Sequence, residues 1–144
     1  MKRFVLDASV AIKWILPEDQ EPFSEEAKLL LEQGARGEIR FSVPDIFWAE
    51  ISNVIWKSLR RGKLNGAEAL EAMKDLMALE VQVAQTREFL PSAFETAIES
   101  KIAVYDACYV ELANRLDVPL VTADQSLYLK TAATLPVVWI GAIH

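Results

Sequence analysis

Short apolar runs bounded by turn residues recur at positions 4–6, 39–43, 81–84, 120–122 and 137–140. Runs this short, rich in β-branched and aromatic residues, read as strands. Between them lie longer segments with helical periodicity, at 10–16, 24–33, 45–61, 67–79, 89–99, 106–116 and 126–132. Strands that alternate with helices predict a mostly parallel sheet covered on both faces, a three-layer α/β/α sandwich. The turn residues agree. Gly34 and Gly37 follow the second helix, Pro44 precedes the third, Gly62 closes it, and Asn65-Gly66 turns the chain into the fourth. No repeat, low-complexity tract or linker interrupts the pattern, so residues 1–144 are expected to form one domain, with 52% hydrophobic residues to fill its core.

Composition removes several chemistries. The only cysteine, Cys108, sits in the apolar run Ala107-Cys108-Tyr109-Val110 and reads as a small core residue rather than a nucleophile. The only histidine is His144, at a position where chains are usually loose. Ser-His-Asp, Cys-His and His-ligated zinc chemistry, which need a positioned imidazole, are therefore excluded, and acid–base work falls to carboxylates. A formal net charge of −6 argues against a broad basic face, so any contact with nucleic acid must be local. No apolar stretch reaches the roughly 18 residues of a membrane span, and the N-terminus lacks the pattern of a signal peptide. A soluble, cytoplasmic protein without membrane contact is expected.

Four acidic residues stand apart from the solvated charge. In Arg3-Phe4-Val5-Leu6-Asp7-Ala8-Ser9 a buried-strand pattern ends on Asp7, and Leu120-Val121-Thr122-Ala123-Asp124 repeats the arrangement. Ligands of open α/β sheets bind outside the carboxyl ends of the strands, where the strand order reverses, which makes both aspartates candidates for that edge. Glu50 shares a helical stripe with Ile46, Phe47, Asn53 and Val54, and Asp106 shares a face with Tyr109, Val110 and Ala113. Plainer readings stay open for each. Asp7, Asp106 and Asp124 can serve as helix caps or turn residues at about 1 kcal/mol apiece, and Glu50 can pair with an arginine or lysine. Taken together, like charges about 4 Å apart repel by about 4 kcal/mol at an effective dielectric near 20, so a shared cleft calls for a cation. Oxygen ligands without histidine or thiolate select Mg²⁺ or Mn²⁺.

Asp7-Ala8-Ser9, the helix carrying Pro44, Glu50 and Asn53, the Tyr105-Asp106-Ala107 motif and Val121-Thr122-Ala123-Asp124 together resemble the PIN-domain nucleases, specifically the VapC-type toxins of toxin–antitoxin pairs. The resemblance spans essentially the whole chain, and the ordered set is far more specific than any one motif. It implies an endoribonuclease in which Asp7, Glu50 and Asp106 match the core acids that hold Mg²⁺ or Mn²⁺, and Asp124 the more variable fourth. Ser9 and Thr122 match hydroxyl positions that assist the metal site, with the Asn53 amide as a further support. It also implies an RNA substrate cut to a 5′-phosphate and a 3′-hydroxyl, a cognate antitoxin and a homodimer.

The densest basic segment is Lys57-Ser58-Leu59-Arg60-Arg61-Gly62-Lys63. Lys57, Arg60, Arg61 and Lys63 read either as a solvated helix end matched to the C-terminal dipole or as a rim that contacts RNA phosphates. Trp14, Phe23, Trp48, Trp56 and Trp139 read mainly as core. The helix over 45–61 is apolar nearly all round, including Trp48, Ile51 and Ile55, which predicts that part of it buries against another chain. Aspartyl phosphatases need a second acid where Ser9 stands, and receiver domains need a lysine where Thr122-Ala123-Asp124 stands. A non-catalytic module of the same fold and a single-strand DNA nuclease are the remaining alternatives.

Overall fold

The computed structural model describes residues 1–17 and 22–143; His144 lies outside the described residues. The chain runs β1 (Lys2–Leu6), α1 (Ala8–Ile15), α2 (Ser24–Ala35), β2 (Ile39–Pro44), α3 (Phe47–Arg60), α4 (Gly66–Met77), β3 (Gln82–Ala84), α5 (Leu90–Ser100), α6 (Val104–Leu116), β4 (Leu120–Thr122), α7 (Gln125–Thr131) and β5 (Val137–Trp139). The strands make one parallel sheet in the order β3-β2-β1-β4-β5. Strand and helix positions follow the periodicity, and the α/β sandwich is the expected one. Val5, Leu6, Leu120 and Val121 are fully buried, as strands covered on both faces must be. α1 packs on α2, α3 and α4, whereas α5 packs on α6, which lies against β1, β2 and β4.

Chain order turns at β1: β2 and β3 extend the sheet to one side, β4 and β5 to the other. The crevice between β1 and β4 is the switch point where this class of sheet binds ligands. Val5 pairs with Leu120 and Leu6 with Val121, which sets the residue after β1 beside the last residue of β4.

Several local expectations are corrected. α2 runs through Gly34, whose missing side chain is explained by packing: a Cβ there would meet the Phe41 ring at 2.9 Å. α3 starts at Phe47 rather than Asp45, because the Asp45 carboxylate accepts a hydrogen bond from Thr86 at 2.5 Å and holds the turn after β2. Gly62, at φ 77°, supplies the left-handed residue that stops α3. The buried stripe of α3 is Phe47, Ile51, Ile55 and Ser58, while Asn53 and Val54 are exposed and Glu50 is half-buried. Ile51 and Ile55, expected on an outer apolar face, are thus core residues. A helix apolar nearly all round has no unique phase from sequence, and packing against α1 and α4 selects one. Trp56 and Phe23 are exposed rather than core.

Candidate active site

Asp7 leaves the end of β1 and is only 5% exposed. It occupies the residue before α1, but its side chain makes no capping hydrogen bond. Its Oδ2 instead accepts from Ser9 Oγ at 2.5 Å and from Thr122 Oγ1 at 2.8 Å. Each hydroxyl also accepts from the backbone, Ser9 Oγ from the Ala123 amide and Thr122 Oγ1 from the Asp124 amide, both at 3.0 Å. A hydroxyl has one proton to give. With the amides filling acceptor sites, both protons are directed at Asp7. The Asp7 amide donates to Val121 O at 3.1 Å, which completes a stitch across the β1–β4 crevice.

Glu50 reaches toward the same crevice from α3. Its Oε1 is buried and makes no hydrogen bond among the described residues. Asp106 stands in the first turn of α6, inside the helix rather than at its cap, which is Ala103. Asp124 does cap a helix, since its Oδ1 accepts from the Leu127 amide at 3.1 Å. The plain reading therefore holds in part for Asp124 and fails for Asp7 and Asp106.

The electrostatics join these four residues. Burial raises the Asp7 carboxyl, the Ser9 and Thr122 hydrogen bonds oppose that rise, and Asp124 adds to it. Burial and then the Asp7 charge push Glu50 up to about 7. Asp106 is pushed up to about 6 by burial, Asp7 and Asp124, against a partial offset from Lys130. The ion pairs Arg36–Glu38 and Lys74–Glu71 lie away from the four acids. The salt-bridge reading of Glu50 thus finds no support.

These donors suit a hard divalent cation: they are carboxylate oxygens, they repel one another, and one is buried without a partner. Among the described residues no three histidine, cysteine, aspartate or glutamate side chains are set closely enough to hold an ion between them. Mg²⁺ does not need such a group, because it keeps several waters and takes one or two protein carboxylates.

Asn53 and the cations Lys57, Arg60, Arg61 and Lys63 are exposed. Lys57 follows Glu50 by seven residues, about 10 Å along the helix and on nearly the same face. Sequence reasoning placed Tyr109 on the Asp106 face but gave it no role. Its hydroxyl is buried and makes no hydrogen bond of ordinary geometry among the described residues, yet it stands close enough to Glu50 for each group to shift the other's titration. A cavity of about 790 Å³ lies at the other end of the sheet, lined by Met1, Ile39, Phe41 and Leu79 among others, and contains none of the four acids.

The PIN domain family profile matches residues 4–133. Ribonuclease VapC3 of Pyrobaculum aerophilum is 32% identical over 133 residues, 91% of this chain and 96% of that protein. Ribonuclease VapC9 of Mycobacterium tuberculosis is 30% identical over 135 residues, 92% of this chain and 94% of its own. The crystal structure of PAE2754 from Pyrobaculum aerophilum superposes with a TM-score of 0.70 at 22% identity, covering 97% of this chain and 92% of that one. That likeness bears on the fold.

Proposed function

The chain belongs to the PIN-domain family, among its VapC-type members, and from that premise we propose that it is a metal-dependent endoribonuclease, the cytoplasmic toxin of a toxin–antitoxin pair. The observation that supports the reading is the buried Glu50 Oε1, without a hydrogen bond among the described residues and set among carboxylates that raise one another's pKa. Asp7, Glu50 and Asp106 would hold Mg²⁺ or Mn²⁺, with Asp124 at the margin. Bound there, the ion lowers the pKa of a water and offsets charge on the phosphoryl oxygens.

The chain's own residues supply the rest. Ser9 and Thr122 hold Asp7 in one orientation. A carboxylate oxygen of Glu50 or Asp106 left free by the ion would take the proton of an attacking water. The water oxygen joins phosphorus as the bond to the 3′-oxygen breaks, and that oxygen takes up a proton, leaving a 5′-phosphate and a 3′-hydroxyl. Lys57 and Arg61, spaced on the Glu50 face of α3, would meet backbone phosphates, with Arg60 and Lys63 at the rim. The exposed apolar face of α5 would serve a homodimer, and a cognate antitoxin would restrain the activity.

Cleavage of single-stranded RNA tests this reading. Mg²⁺ or Mn²⁺ should be required, and Asp7→Asn or Asp106→Asn should each cost about a thousandfold, as expected when several kcal/mol of transition-state stabilisation disappear. Full activity in EDTA rules out the metal mechanism. Cleavage of single-stranded DNA in place of RNA moves the substrate, and RNA binding without cleavage leaves a binding module.

A further inference from the structure

Among the described residues two buried side-chain oxygen atoms lack a hydrogen bond of ordinary geometry, Glu50 Oε1 and the Tyr109 hydroxyl, and the two side chains are neighbours. Tyr109 is fully buried. It follows Asp106 by three residues on α6, so one helical turn carries the acid and the phenol on one face. A buried tyrosine hydroxyl ordinarily finds a partner, and an ionised carboxylate can only accept. The terminal torsion of a glutamate is soft, so the carboxylate is free to turn toward the phenol.

We propose that Tyr109 is a positioning residue whose hydroxyl donates to the Glu50 carboxylate and fixes which of its oxygens is left for the divalent ion. This rests on the metal-site reading above. Partners that orient ligand side chains in this way typically change metal affinity by about 10–100-fold when removed.

The test is Mn²⁺ binding by isothermal titration calorimetry on the full chain, with thermal melting of the same samples. Tyr109→Phe should melt as a folded protein, bind Mn²⁺ at least about tenfold more weakly, and lose kcat while KM for RNA stays unchanged. In a Glu50→Gln background the same substitution should have no further effect on Mn²⁺ affinity. Installing 3-fluorotyrosine at position 109, which keeps the shape and the donor, should retain wild-type affinity. Tyr109→Phe that folds and binds Mn²⁺ as tightly as wild type overturns the role alone. So does a loss of equal size in the Glu50→Gln background, or a loss with 3-fluorotyrosine, each of which points to packing. A wild-type chain that binds no Mn²⁺ overturns the metal reading and this role with it.

Discussion

Thr122 shows how much one side chain carries at this site. It is fully buried, gives its proton to Asp7 and accepts the Asp124 amide. Thr122→Val keeps the volume but strands both partners. Hydrogen bonds to charged groups contribute roughly 1.5–3 kcal/mol, so denaturant unfolding should show a loss of about 2 kcal/mol. The Thr122 bond also holds the Asp7 carboxyl down against burial. Removing it should raise that group further and move the acid limb of the RNA-cleavage profile to higher pH. An unchanged limb with lowered stability would mean that Thr122 only braces the fold. The aspartate at the strand end was visible in the sequence, as was the hydroxyl two residues later. Their convergence on a single carboxylate oxygen was not, because Ser9 and Thr122 lie 113 residues apart.

At the scale of elements, the sequence located the strands because each is a short run of β-branched and aromatic residues between turn formers. It also located α4, whose Asn65–Glu68 capping box is present with bonds of 2.8 and 2.9 Å. It did not yield the phase of α3, where apolar residues surround the helix and contact with α1 and α4 selects Phe47, Ile51 and Ile55. Lys57 and Arg61 follow Glu50 at spacings of seven and eleven residues, so the three fall on one face whatever the phase. Replacing Lys57, Arg60, Arg61 and Lys63 by glutamine should lower the slope of log affinity for single-stranded RNA against log salt by up to about 3, at roughly 0.7 per phosphate contact. An unchanged slope makes these cations a solvated helix end.

The whole molecule carries two further expectations. α5 turns Ala93 and Ala97 inward and leaves Leu90, Phe94 and Ile98 exposed, the reverse of an ordinary amphipathic helix. A stripe of that kind suits a second chain. Light scattering at micromolar concentration should report a dimer, and Phe94→Glu a folded monomer; a monomeric wild type would refute the interface. The raised acids also set the pH response. In the fold Glu50 and Asp106 titrate near 7 and 6, and Asp7 is raised as well, each above its ordinary carboxylate value. The folded chain therefore holds protons that the unfolded chain has released. That stabilising contribution is complete below about pH 4 and is lost as pH climbs toward 7. Without divalent ions, the melting temperature should fall between pH 5 and 7.5. Mn²⁺ should reverse the fall, and a Glu50→Gln, Asp106→Asn variant should flatten it. A wild-type melting temperature that rises over this range would contradict the assigned burial of these groups.

The stitch between Asp7 and Thr122 joins positions 115 residues apart. During synthesis the first half of the crevice emerges almost at once, yet its other wall is missing until β4 has left the ribosome. A chain short of that strand lacks the hydroxyl that orients Asp7, so the crevice is among the last parts of the fold to be completed.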